Sequence, residues 1–279
     1  MPEGDTIFRT AQTLHRVLAG RLVVRFDSTF PALTRVDVDR PIAGRTIDSV
    51  VSRGKHLLMT FSGDVILHTH MRMNGAWHLY RPGGQWRRPA RDMRILVATA
   101  DAIAVGFNVP VAEFLSARDV LRHRDLAALG PDLLDAGFDA GEARLRLRAS
   151  PNAAAGDALL NQRAIAGIGN VLKSEVLFAA GIDPFTRVGQ LSDADLDHIV
   201  AVARQLMAMS VRAAGRQTTK SLNPNARLWV YGRGGLPCRK CGMRVQAKKT
   251  GIDARLTYWC PRCQPPREHA RSAGRPPHK

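Results

Sequence analysis

The sequence predicts an α+β protein of two domains, and three observations carry the prediction. A helix-period stretch opens the chain and gives way to strand-like alternation as far as about residue 115. Helix-period segments dominate from there to about residue 221. Four cysteines in two close pairs, set among short β-like pieces, follow them. At 279 residues the chain is long enough for two domains that each bury a core.

Ile7, Phe8, Ala11, Leu14, Val17 and Leu18 fall on one helical face, with Asp5 or Thr6 as the expected N-cap and Gly20 as the stop. "KHLLMTF" and "VILHTH" flank the turn "SGD" as a hairpin, and "RILVATADAIAVGF" reads as another. The first half is therefore a small β-rich domain, read as a sandwich, with one N-terminal helix. "LRHRDLAALGPDLLDAGFDA" is rich in turn residues and reads as a connector. Beyond it "DAGEARLRLRA", "GDALLNQRAIAG", "NVLKSEVLFAAG" and "SDADLDHIVAVARQLMAMSVRAAG" read as helices, the last capped by Ser192 with Asp195. The final "QPPREHARSAGRPPHK" is a basic, proline-rich tail expected to be disordered.

Forty-one Lys and Arg against 24 Asp and Glu give a net charge of +17. Such a surface attracts polyanions in a salt-sensitive way, and nucleic acid is the first candidate; a merely solvated basic surface is the competing reading. Early acidic residues Glu3 and Asp5, with Arg9, His15 and Arg16 interrupting the opening helix, make the start unlike a secretory signal. No stretch approaches the ~18 apolar residues of a membrane span. The expectation is a cytoplasmic protein, where cysteines serve as thiolate ligands more readily than as disulfides.

Cys238-x2-Cys241 and Cys260-x2-Cys263, eighteen residues apart, match a ribbon in which two knuckles present four sulfurs to one zinc ion. Two local disulfides or free thiols are the alternative. Four thiolates leave no open position, so the zinc is read as structural. Between the knuckles, Lys248, Lys249 and Gly251 lie at or near a turn, and Arg255, Thr257 and Trp259 share a strand face. The planar fork of Arg255 suits a phosphate, against the plainer reading of a solvated arginine. Upstream, Gly167-Ile168-Gly169-Asn170 joins two helical stretches. It places Asn170 at a helix N-terminus, where backbone N–H groups and the helix dipole favour an anion. Taken alone, it could equally be an ordinary packing turn.

In order, "PEG", "SRGKHLL", "HMRMNGAW", "AGIGNVLKSEVLFAAGI" and "CRKCG…ARLTYWCPRCQ" resemble the formamidopyrimidine-DNA glycosylase/endonuclease VIII family of base-excision repair enzymes over residues 1 to about 264. The resemblance implies an N-terminal β-sandwich catalytic domain (1–120), a linker (121–140) and a helical domain with a helix–two-turn–helix (141–225). A zinc-ribbon finger (226–264) and the tail (265–279) complete the chain. It implies removal of Met1 and a nucleophilic amine on Pro2, with Glu3 as general acid and base. Lys55 and Arg255 would grip the DNA backbone and assist, and Asn170 would contact DNA. Arg72, Met73 and Asn74 would fill the gap left by a flipped base, Met73 as an apolar wedge. His68, His70 and His78 lack an evident set of carboxylates and are read as strand and loop histidines. The implied partner is damaged DNA, with no membrane and no nucleotide cofactor, bound by a monomer in the bacterial cytoplasm at the nucleoid.

"MPEGDTI" and "ARLWVYGRGG" resemble the actinobacterial-type endonuclease VIII branch, and "VGFNVPVAEF" offers no counterpart of the inserted arginine–phenylalanine pair of the 8-oxoguanine branch. "HMRMNG" is nearer to that other branch. The expectation is a bifunctional glycosylase and abasic-site lyase for oxidised pyrimidines, with an oxidised-purine glycosylase second. A non-catalytic zinc-ribbon DNA-binding protein is the alternative of another class.

Overall fold

The computed structural model describes residues 2–266 except 214 and 252–253. Met1 and residues 267–279, most of the expected disordered tail, lie outside the described residues. The first helix, α1 (Gly4–Leu18), leads into β1 (Arg25–Ser28), α2 (Pro31–Asp39), β2 (Ile47–Arg53), β3 (His56–Phe61), β4 (Val65–His70) and β5 (Ala76–Tyr80). Then come β6 (Met93–Ala98), β7 (Ile103–Phe107) and β8 (Val111–Leu115), followed by the short helices α3 (Ala117–Arg122) and α4 (Arg124–Ala127). The remaining helices are α5 (Ala140–Arg148), α6 (Ala155–Leu160), α7 (Asn170–Ala180) and α8 (Asp193–Arg212). The hairpin β9 (Gln246–Thr250) and β10 (Arg255–Trp259) ends the described chain.

Two four-stranded antiparallel sheets, ordered β1-β6-β7-β5 and β2-β3-β4-β8, form the sandwich. Each strand lays alternate side chains into the space between the sheets, where Phe26, Ile47, Leu57, Met59, Phe61, Leu67, Ile95, Val97 and Ala104 share one core with α1. Both expected hairpins form, as β3–β4 and β6–β7. The pairing of β4 with β8 sets His68 opposite Glu113.

A second core joins α5, α6, α7 and α8, and α1 packs against both β2 and α8, so the first helix braces the two halves together. Ser192 and Asp195 form the expected capping box at α8. Two local expectations are corrected. Glu3, not Asp5 or Thr6, is the N-cap of α1, because Asp5 turns inward to a bidentate ion pair with Arg216 (2.6 and 3.0 Å). The helix expected across "GDALLNQRAIAG" stops at Leu160. There the Gln162 side chain donates to Leu160 O and Ile168 O and accepts from Gly167 N, which folds the following residues into a turn.

Candidate active site

The candidate side chains converge because α1 begins where α7 begins. Gly4 N donates to Gly167 O at 2.9 Å, tying the chain terminus to the glycine turn ahead of α7. A Cβ on Gly4 would stand 2.8 Å from Gly167 Cα, and Gly167 itself has φ +100°. Gly169 is extended; it is glycine because a Cβ there would overlap the Glu3 carboxyl, 2.5 Å from Oε1.

That contact defines Glu3, which is buried. Its Oε1 accepts from Val171 N (2.8 Å) and its Oε2 from Leu172 N (3.1 Å), so the carboxylate caps α7 instead of α1. The anion expected at the α7 N-terminus is thus supplied by the chain itself. Asn170, the first residue of α7, donates through Nδ2 to Leu256 O (3.0 Å), while its buried Oδ1 has no partner. Its amide bridges α7 to the cysteine hairpin.

Pro2, Glu3, Lys55 and Arg255 line one cavity of ≈ 500 Å³, together with Arg72 and Met73. Met73 is 60% exposed, an unusual position for a methionine that packs in no core. Arg72 has a left-handed backbone, φ +42°, held by its N–H donating to His70 Nδ1 at 3.0 Å. Asn74 lies in a neighbouring groove with Pro2, Asn108 and Pro110. Lys55, in the β2–β3 turn, is pulled down to about 8, chiefly by burial; Glu3 opposes this while Arg255 and Arg216 reinforce it. All but Asn74, Asn170 and the cysteines are therefore gathered at one cavity wall.

The structure adds residues that the sequence does not single out. Lys173 is fully buried on α7, donates to Thr257 Oγ1 on β10 at 2.7 Å, and is held down to about 8, again mainly by burial. Glu175, also fully buried, accepts from the backbone N–H groups of Trp229, Val230 and Tyr231, and from the Thr218 hydroxyl. In the cavity wall, His68 Nδ1 and His123 Nε2 both meet Glu113 Oε1, at 2.8 and 3.0 Å, and His56 Nδ1 lies 2.8 Å from His68 Nε2. His56 and His70 are held near 3 and 4, chiefly by burial, and so are neutral at ordinary pH. Of the three histidines read together in the sequence, His68, His70 and His78, His68 is the one given a carboxylate partner, by Glu113. Alternation along β8 offers no hint of it, because the meeting depends on register 45 residues away.

The four cysteines cluster apart from this cavity. Their sulfurs all lie within 4.8 Å of one another, with Cys238–Cys263 at 3.9 Å and Cys241–Cys260 at 3.4 Å. Sulfurs about 2.3 Å from a tetrahedral zinc ion would be separated by close to these distances, so the quartet fits a structural zinc.

Three family models match the chain: the formamidopyrimidine-DNA glycosylase N-terminal domain over residues 1–110, its H2TH domain over 129–221, and the zinc finger found in FPG and IleRS over 235–266. A probable endonuclease 8 2 of Streptomyces coelicolor is 41% identical, covering 99% of both chains. The DNA-(apurinic or apyrimidinic site) lyase Nei2 of Mycolicibacterium smegmatis is 38% identical over 95% of this chain and 99% of its own. A solved Lactococcus lactis formamidopyrimidine-DNA glycosylase, bound non-covalently to DNA with an abasic site, superposes with a TM-score of 0.80. It is 25% identical over 95% of this chain and all of its own. Fold and site thus define a DNA-repair enzyme, a DNA glycosylase and abasic-site lyase. The chain belongs to the formamidopyrimidine-DNA glycosylase/endonuclease VIII family.

Proposed function

We propose that this enzyme excises oxidised pyrimidines from DNA through a Schiff base on Pro2 and then cleaves the strand by β,δ-elimination. The observation that carries the reading is the shared cavity of Pro2, Glu3, Lys55 and Arg255. Once Met1 is removed, Pro2 carries an α-amine, whose ordinary pKa is ~7.7–8.0, so a useful fraction is neutral and nucleophilic. Its place ahead of α1, at the positive end of that helix, further favours the neutral amine.

The damaged nucleotide must leave the stack before C1′ can be reached. Pro2 N attacks C1′ as the C1′–base bond breaks and the base departs with a proton. The C1′–O4′ bond then opens, O4′ taking up the proton that the attacking amine gives up, which leaves a C1′=N iminium. Glu3, beside Pro2, handles protons at the sugar and the leaving group. Because the amine is secondary, the resulting iminium has no N–H to lose and stays cationic. It acidifies C2′, whose proton leaves as the 3′ phosphate is expelled, and a second elimination expels the 5′ phosphate. Lys55 and Arg255 hold phosphates on the cavity wall, and Met73 fills the space vacated by the base. The cysteine quartet, with one structural zinc, would hold the hairpin that presents Arg255. The higher identity to the endonuclease 8 relatives than to the glycosylase structure supports the pyrimidine branch.

A panel of duplexes carrying thymine glycol, 5-hydroxycytosine, 8-oxoguanine or an abasic site tests the reading. Oxidised pyrimidines are expected to be cleaved fastest, leaving phosphates on both sides of the gap. Faster cleavage at 8-oxoguanine would select the purine glycosylase instead. Tight binding to every duplex without cleavage would select a non-catalytic DNA reader.

A further inference from the structure

We propose that His68, Glu113 and His123 form a second metal site, distinct from the cysteine quartet, that takes a borderline divalent ion such as Zn2+ in the wall of the catalytic cavity. The ligand atoms His68 Nδ1, Glu113 Oε1 and His123 Nε2 lie within 4.8 Å of one another. Two imidazole nitrogens and one carboxylate oxygen are a common catalytic-type zinc donor set, which leaves a position open. Metal–ligand distances of about 2.0–2.2 Å ask only for a small opening of the 2.8 and 3.0 Å contacts.

The ligands stand on a rigid frame. His68 and Glu113 are cross-strand partners in β4 and β8, and His123 is fixed between α3 and α4. His68 also has the outer partner that a ligating histidine requires, because its Nε2 faces His56 Nδ1 at 2.8 Å. With metal at Nδ1, the ring proton of His68 sits on Nε2 and donates to His56, which carries its own proton on Nε2. The direction of the chain reverses and no proton is lost. His123 must move its proton to Nδ1, at the cost of two 3.3 Å contacts from Asp125 N and Leu126 N.

The field at the site is mixed, because Lys55, Arg72, Arg163 and Arg255 line the same cavity as Glu3, Glu113 and Asp125. The acidic groups that act on His68 are Glu113 and Asp125, and the other is neighbouring His123. Lys55 acts on His56 and His70 instead, and Arg72 on His70. His68, Glu113 and His123 all line the cavity that holds Pro2, so the open position faces the space assigned above to the DNA backbone. A phosphate oxygen is the further ligand of matching chemistry, an assignment that rests on the proposed function.

The test uses full-length, tag-free protein. Zinc per chain is measured after equilibration with excess Zn2+ and desalting, and Co2+ binding is followed in the zinc-loaded ribbon protein. Thiolate ligation gives intense charge-transfer absorption and nitrogen–oxygen ligation does not. The wild type is expected to hold an ion beyond that of the ribbon, with a thiolate-free cobalt spectrum. Glu113→Gln and His123→Ala are expected to lose it while keeping the ribbon zinc, and His56→Phe to weaken it by about 10- to 100-fold. A wild type holding only the ribbon ion, or variants that retain the second ion, would overturn the site. These counts are made without DNA, so they fail independently of the enzymatic reading. Occupancy is expected to tighten binding to an abasic-analogue duplex; unchanged affinity would remove the phosphate as ligand.

Discussion

Gly169 sits against the Glu3 carboxyl with no space for a Cβ, and this gives the most local prediction. Gly169→Ala must push Glu3 off the Val171 and Leu172 N–H groups. Strand cleavage is expected to fall by on the order of 10²-fold, because an ångström-scale misplacement is that costly, with about 1–3 kcal/mol lost from stability. A single-turnover assay beside a denaturant melt separates the two effects. Lys55 makes a pH prediction. Its folded value, about 8, lies below its ordinary 10.5, so the ammonium proposed to grip phosphate is lost as pH rises through 8. In kcat/KM, which reports the free enzyme, an alkaline limb near pH 8 is expected in the wild type and absent in Lys55→Arg. Stability runs the other way, because between pH 8 and 10.5 the unfolded chain binds more protons. The cost of burying the charge is complete below pH 8 and gone above 10.5. Lys55→Met should therefore melt later at pH 7, by about 1–3 kcal/mol, and lose that advantage in the alkaline range while remaining inactive.

At the scale of elements, the cysteine hairpin is fastened to α7 through three contacts. Asn170 bonds Leu256 O, Lys173 bonds Thr257 Oγ1, and Tyr258 N donates to Ser174 Oγ at 3.3 Å. Chelation of the zinc that the quartet would hold, or Cys263→Ser, is expected to release Arg255 and weaken binding to abasic DNA by ~10- to 100-fold, the worth of a charged hydrogen bond. The sandwich is expected to keep its strand circular dichroism, since its core shares no residue with the hairpin. Loss of both signals together would contradict this division. The ribbon was legible in the sequence because its ligands recur at short, geometrically forced spacings. The glycine turn was legible as a turn, but its reason, the Glu3 carboxyl arriving from the opposite end of the chain, was not. Glu113 and His123 were not legible as partners of His68 at all. Their meeting is a matter of strand register and of where a connector folds back, and neither leaves a local pattern. The helix expected past Leu160 failed for a related reason, since Gln162 prefers the backbone of the turn it closes.

For the whole molecule, the surplus of 17 positive charges means that DNA affinity should fall steeply with salt. If about six phosphates are neutralised, log K against log salt has a slope of about −5, and binding weakens by about 10³-fold between 50 and 200 mM salt. A shallow slope would show that the basic surface is not the DNA face. α1 packs against both halves, and Pro2, just ahead of it, lines a cavity to which both halves contribute, where removal of Met1 would expose its amine. The direct measurement is borohydride trapping on a duplex with an abasic site, using protein whose loss of Met1 has been verified by mass, followed by peptide mapping of the adduct. The Pro2 Schiff-base mechanism predicts a covalent protein–DNA product mapped to Pro2, and none from protein with an N-terminal extension. Tight binding without a trapped product, or an extended protein that cleaves as fast as the processed one, would contradict it.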